Sequence, residues 1–234
     1  MAGKLYMIPT NIAECPADSS LALETQRVAT GLKHFVVENI RTARRFLKSV
    51  SRDVDIDSLS FTELNEHTPE MSIASMLDVV EGGEDLGMMS EAGCPGVADP
   101  GALLAAEAHR RGIQVVPLVG PSSILMSLMA SGLNGQNFTF RGYLPVGGEL
   151  NKALRQMEER SQKEQQTQIF IEAPYRNNKM LETLVEVLKP TTRLTVARDV
   201  MGPEEMIVTH TVAEWRRKTK PDLHKRPTVF LFLA

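Results

Sequence analysis

The chain has 234 residues, 42% of them hydrophobic, with 26 basic and 29 acidic side chains for a net charge of −3. That length holds one large or two modest globular domains, and the charge balance excludes a wholly basic nucleic-acid coat while leaving room for a local basic face. Cys15 and Cys94 lie too far apart for a disulfide framework or a metal-ligand spacing, and no apolar run approaches the roughly 18 residues that span a bilayer. The amino terminus lacks the apolar core of a signal peptide, so a soluble cytoplasmic protein with no membrane partner is expected.

In chain order, residues 4–8 read as a strand, 20–31 as a helix closed by glycine, and 34–37 as a second strand followed by a helix over 40–50. A weak third strand at 59–61 precedes a helix over 69–81 that stops at Gly82-Gly83, and 85–89 is a fourth strand. Next come a loop over 90–101, a helix over 102–111 and a fifth strand at 114–119. This alternation implies parallel strands with crossover helices. Gly120-Pro121-Ser122-Ser123 opens a helix over 124–131, with proline and serine suited to a helix start. A strand at 138–143, a polar helix at 149–165, a strand at 168–172 and a helix at 177–189 follow, then strands at 193–198, 206–211 and 228–233. The expected fold is α/β, with two α/β domains in tandem, 1–119 and 120–234.

The loop at 90–101, Ser-Glu-Ala-Gly-Cys-Pro-Gly-Val-Ala-Asp-Pro-Gly, is the most informative segment. Its glycines and prolines can neither continue a strand nor fill a helix, and it sits where open α/β sheets place ligands. The turn after the first strand, Ile8-Pro9-Thr10-Asn11, carries no G-x-G-x-x-G, and the chain has no phosphate loop, so nucleotide phosphates are not the expected ligand. Glu38 and Arg41 follow the second strand, where a carboxylate can take a proton or orient a hydroxyl and a guanidinium can hold a phosphate. Ordinary strand-to-helix punctuation is the plain alternative for each of these loops. Arg41, Arg44, Arg45, Lys48 and Arg52 share a helix face, and Arg216, Arg217, Lys218, Lys220, Lys225 and Arg226 form a second basic cluster. Such runs are either solvated faces or phosphate contacts. The histidines have no spacing that suggests metal ligands.

Seven motifs occur in register along nearly the whole chain: Pro9-Thr10-Asn11, Glu38-Asn39-Ile40-Arg41, Asn65-Glu66-His67, residues 90–101, Gly120-Pro121-Ser122-Ser123, Gly142-Tyr143-Leu144-Pro145 and Glu172-Ala173-Pro174-Tyr175-Arg176. Together they resemble the tetrapyrrole methylase superfamily, and within it the bacterial branch that methylates the 2′-hydroxyl of a cytidine in small-subunit ribosomal RNA. The resemblance implies S-adenosylmethionine as cofactor, bound in a cleft between two α/β domains, a homodimer, and ribosomal RNA or the small ribosomal subunit as partner. By the same resemblance, Pro9, Cys94, Val97, Ser123, Ile124, Ala173, Pro174 and Ala197 fall at cofactor-binding positions, and Glu38, Arg41 and His67 at the catalytic ones. The branch usually reads Glu-Asp-Thr/Ser-Arg and His-Glu-His/Asn where this chain has Asn39, Ile40 and Asn65. It also generally continues beyond the last strand, where this chain ends. Two alternatives remain open: a small-molecule or tetrapyrrole acceptor, and a cofactor-binding protein without transfer activity.

Overall fold

Lys4–Met7 forms the first strand, β1, because its alternate side chains have two faces to fill: Leu5 and Met7 on one, Tyr6 and the following Ile8 on the other. The computed structural model describes residues 2–234, and the chain divides into two compact units, the first ending at Ser122 and the second Ser123–Ala234.

In the first unit β1 is joined by β2 (His34–Val37), β3 (Ser60–Glu63), β4 (Leu86–Met89) and β5 (Gln114–Pro117) in a parallel sheet of order β3-β2-β4-β1-β5. Every residue of β4 is buried, as befits a central parallel strand covered on both faces. Helices α1 (Leu23–Gly31) and α2 (Ile40–Val50) cover one face, where Ala29, Ala43 and Leu47 pack on Ile8, Phe35, Val37 and Met89. Helices α3 (Glu70–Ile73), α4 (Asp78–Glu81) and α5 (Gly101–Arg110) cover the other, where Ile73, Val80, Leu104 and Ala108 pack on Leu5, Met7, Val36 and Met88. Gly87 leaves room for this packing: a Cβ there would lie 2.7 Å from Ile8 Cδ1 and 3.0 Å from a Phe35 ring carbon.

The chain after β1 and β2 turns toward the α1–α2 face, whereas the chain after β4 turns toward α5 on the opposite face. Since β4 lies between β2 and β1, a crevice opens on either side of it at the carboxyl edge of the sheet. The helix expected over 69–81 is instead α3, a 3-10 turn at Ala74–Leu77, and α4. Here the Ser72 and Ser75 hydroxyls donate to the carbonyls of Pro69 and Ser72, at 2.7 and 2.9 Å, and compete with the helical ladder.

The second unit begins with α6 (Ser123–Ser131) and holds β6 (Phe138–Tyr143), α7 (Gly148–Glu164), β7 (Thr167–Ile171), α8 (Asn177–Val187), β8 (Arg193–Arg198), β9 (Met206–Thr211), α9 (Val212–Arg217) and β10 (Thr228–Leu233). Its sheet, β6-β7-β10-β8-β9, is mixed: β6 pairs parallel with β7, and the other pairs are antiparallel. On one face α7, α8 and α9 bury Leu154, Leu184 and Trp215 against Phe170, Phe230 and Phe232. On the other, α6 lies against β9 and β10, with Thr209 Oγ1 donating to the Ser131 carbonyl at 2.7 Å. The short helix α9 is absent from the expected elements, although Thr211-x-x-Glu214 carries its start signal. Thr211 Oγ1 accepts from Glu214 N at 3.2 Å and Glu214 Oε2 accepts from Thr211 N at 2.8 Å, a reciprocal cap. Among the described residues no helix is long and apolar enough to cross a membrane.

Candidate active site at the carboxyl edge of the first sheet

Both crevices beside β4 are bridged. On the β1 side, Thr10 and Gly93 exchange backbone hydrogen bonds of 2.9 and 3.2 Å, and Thr10 Oγ1 donates to the Ser90 carbonyl at 3.4 Å. On the β2 side, Glu38 N donates to the Met89 carbonyl at 3.2 Å, and Glu38 Oε2 accepts from Glu91 N at 3.0 Å. The Glu38 carboxyl is half-buried, and burial holds it above the usual carboxylate range; the Glu91 N–H opposes that shift, while the charges of Glu91, Asp99 and Glu66 add to it. The result is a carboxyl group fixed through one oxygen, with Oε1 left for another proton partner, in surroundings of negative potential.

Position 39 explains itself locally. Asn39 Oδ1 accepts from Arg41 N and Thr42 N, at 2.9 and 3.2 Å, and so caps α2. Asparagine caps as well as aspartate, so the amide meets the structural demand of this position. Arg41 lies exposed in the first turn of α2, and its guanidinium makes no ion pair among the described residues. His67 stands exposed in a side-chain-closed turn, its N donating to Asn65 Oδ1 at 3.0 Å and its ring 3.6 Å from the Glu66 carboxylate. It makes no hydrogen bond to Glu38 or Arg41.

The 90–101 loop is held by a residue that sequence reasoning did not single out, Asp99. Its carboxylate accepts from Gly96 N at 2.8 and 3.0 Å and from Gly101 N at 2.7 Å, tying both ends of a turn in which Gly96 (φ +83°) and Ala98 (φ +64°) are left-handed. A Cβ on Gly101 would lie 2.8 Å from Asp99 Oδ1 and 3.0 Å from Gly96 N, so the motif's last glycine is required by packing. The Asp-Pro-Gly sequence at a helix start was the available signal. Cys94 is half-buried, its thiol donating to the Pro121 carbonyl at 3.4 Å, and burial followed by the Asp99 charge pushes it up. Val97 is 49% exposed, a side chain available to a ligand. Pro9 is buried against the backbone at Gly120, where a Cβ would come within 2.3 Å of Pro9 Cβ.

In the second unit, Ser123 and Ile124 occupy the first turn of α6 and are half-buried. Ala173 and Pro174 follow β7 in a turn set by the buried Glu172 carboxylate, which accepts from Ala173 N and pairs with Arg176 Nη2, both at 2.6 Å. Ala197 lies inside β8 with no exposed surface. Beyond it, Asp199 (φ +49°) sits 3.7 Å from Arg198 Nε and 3.4 Å from Arg226 Nη1. Among the described residues, no group of three or more His, Cys, Asp or Glu side chains is arranged to hold a metal. A cavity of about 460 Å³ opens at the opposite edge of the first sheet, between Lys4, Lys33 and Asp85, where strands begin and parallel sheets do not place ligands.

A parallel sheet with a glycine-bent loop beside its central strand and a carboxyl clasped across the adjoining crevice is an α/β arrangement, and known proteins narrow it. No family model matches the chain. It is 31% identical over 210 residues to the ribosomal RNA small subunit methyltransferase I of Mesorhizobium japonicum, covering 89% of this chain and 67% of that protein. It is 29% identical over 210 residues to the Vibrio cholerae protein of the same name, covering 90% and 69%. Among solved structures, the methyltransferase CobJ superposes with a TM-score of 0.65 at 17% identity, covering 100% of this chain and 95% of that one. Uroporphyrin-III-C-methyltransferase from Thermus thermophilus does so with a TM-score of 0.57 at 18% identity, covering 100% and 93%. The fold is that of the tetrapyrrole methyltransferases. The chain belongs to the ribosomal RNA small subunit methyltransferase I family.

Proposed function

We propose that the chain methylates the 2′-hydroxyl of a cytidine in small-subunit ribosomal RNA, using S-adenosylmethionine, with Glu38 as the base. The observation that carries this reading is the half-buried Glu38 carboxyl, held by Glu91 N beside the 90–101 loop in a chain of this family. S-adenosylmethionine, when bound, supplies an electrophilic methyl group on a sulfonium cation. The residues fit such a group. The carboxylates of Glu66, Glu91 and Asp99 around Glu38 favour a cation, and the left-handed turn at Gly96 brings backbone rather than side chain to the loop surface.

Pro9, Cys94 and Val97 are the proposed cofactor contacts of the first unit, and Ser123, Ile124, Ala173, Pro174 and Ala197 those of the second. Ser123 and Ile124 offer N–H groups at a helix start, which favours a carboxylate. Glu38 Oε1 takes the proton of the attacking ribose hydroxyl while Oε2 stays on Glu91 N, so the base is oriented before substrate arrives. Arg41 holds a neighbouring phosphate, and His67 lies on the acceptor side. A cytoplasmic homodimer completes the reading, and light scattering of the purified chain tests its oligomeric part.

The direct test is transfer of labelled methyl groups from S-adenosylmethionine to small ribosomal subunits, to total RNA and to tetrapyrrole precursors. Label in small-subunit RNA supports the reading. Label confined to a tetrapyrrole transfers it to the acceptor class named for the Thermus thermophilus structure, and saturable binding without transfer to any of the three removes the enzyme.

A further inference from the structure

Helix α2 carries Arg41, Arg44, Arg45 and Lys48 and no acidic residue, in a protein whose net charge is −3. Its placement is unfavourable for the helix itself: a cation in a first turn opposes the macrodipole, and Arg41 sits in the first turn of α2, which carries no acidic residue. At 100° per residue, Ala43 and Leu47 face the core while Arg41, Arg45 and Lys48 project within about 60° of one another on the opposite side. All three are exposed.

The structure separates these side chains from basic neighbours that have structural employment. Arg44 is tied to Asp57 at 2.7 Å. In the other basic cluster, Arg216 donates to the carbonyls of Val185 and Leu188 at 3.0 and 3.1 Å, and Arg226 is held by Glu204 at 2.8 Å. Arg41 and Arg45 make no ion pair among the described residues, and Lys48 Nζ donates only to the Arg52 carbonyl, at 3.0 Å. The stripe is about 10 Å long, the reach of about three phosphates along one strand, and its first member lies three residues from Glu38.

We infer that Arg41, Arg45 and Lys48 form a track for the phosphate backbone of a single-stranded RNA segment, leading the acceptor ribose to Glu38. The inference rests on the proposed RNA reading and assigns its docking surface. Charge complementarity selects the occupant: three cations on a solvated face, none in an ion pair among the described residues, suit a polyanion. The absence of an aromatic among them makes the contact one to phosphate rather than to stacked bases.

The test uses the double variant Arg45→Glu/Lys48→Glu, with Arg41 left intact because it stands in the proposed site. Affinity for purified small ribosomal subunits and for a labelled cytidine-containing single-stranded RNA is measured across a salt series, with a thermal melt confirming the fold and calorimetry following S-adenosylmethionine. The expected result is RNA affinity lowered at least about tenfold at low salt and a log–log salt slope shallower by about 1.4, that is about 0.7 for each lost contact, with unchanged cofactor affinity. RNA binding equal to the parent protein's, with the same slope, overturns the track and leaves the proposed function standing. No salt-sensitive RNA binding by the parent protein overturns both.

Discussion

At the scale of single residues, Glu38→Gln separates chemistry from architecture. The amide oxygen still accepts from Glu91 N, so the clasp persists, but the proton acceptor is gone. Turnover is expected to fall by about 10²–10⁴ while the dissociation constant of S-adenosylmethionine stays within a few-fold, checked by steady-state kinetics and calorimetry. Since the Glu38 pKa is raised in the fold and the base must be ionised, activity should rise with pH through a limb above the ordinary carboxylate range, and that limb should vanish in the variant. Glu107 gives the opposite sign, for stability. Its carboxylate accepts from Arg110 and Arg111, which hold it at about 2 against an ordinary 4.5. The unfolded chain is therefore protonated first: the stabilisation is complete above about pH 4.5 and disappears as pH falls toward 2, and Glu107→Gln should flatten denaturant midpoints across that window. Much of this residue scale was legible in the sequence. The placement of Glu38 and of the 90–101 loop at the carboxyl ends of β2 and β4 declares itself because reactive or glycine-rich residues directly follow apolar runs. The Arg44–Asp57 pair does not, because its partners are joined by folding across thirteen positions and lie in different elements. Nor does the complete burial of Ala197, which only the neighbouring strands impose.

At the scale of elements, caps decide more than propensity. Asn39→Ala should destabilise the chain by about 1 kcal/mol in chemical denaturation because two amide donors at the start of α2 lose their acceptor, whereas Asn39→Asp should be near neutral. The same logic shows why the element boundaries were uneven in legibility. Helix α2 was readable over its full length from its apolar and basic faces. The 69–81 segment reads as one helix by composition, yet serine hydroxyls turned back on their own backbone split it. Helix α9 is too short for periodicity to register, and only its capping box marks it.

At the scale of the whole molecule, the β-α alternation specifies the parallel sheet of the first unit well, because crossover helices permit little else. The mixed sheet of the second unit was not legible: β10 enters between β7 and β8, a long-range pairing that no local pattern announces. Its buried Phe230, stacked on Phe170 with ring centroids 5.6 Å apart, should be the costliest truncation there. Phe230→Ala is expected to cost about 3–5 kcal/mol. The single tryptophan, Trp215, buried with Nε1 bonded to the Leu194 carbonyl at 2.9 Å, reports that transition by fluorescence.

The most direct measurement of the central claim is mass spectrometry of nucleosides from small-subunit RNA incubated with the purified chain and isotopically labelled S-adenosylmethionine. The expected result is labelled 2′-O-methylcytidine, formed by the parent protein and strongly diminished with Glu38→Gln. Label on a base instead of a ribose, or unmethylated RNA from a folded protein that binds S-adenosylmethionine, contradicts it.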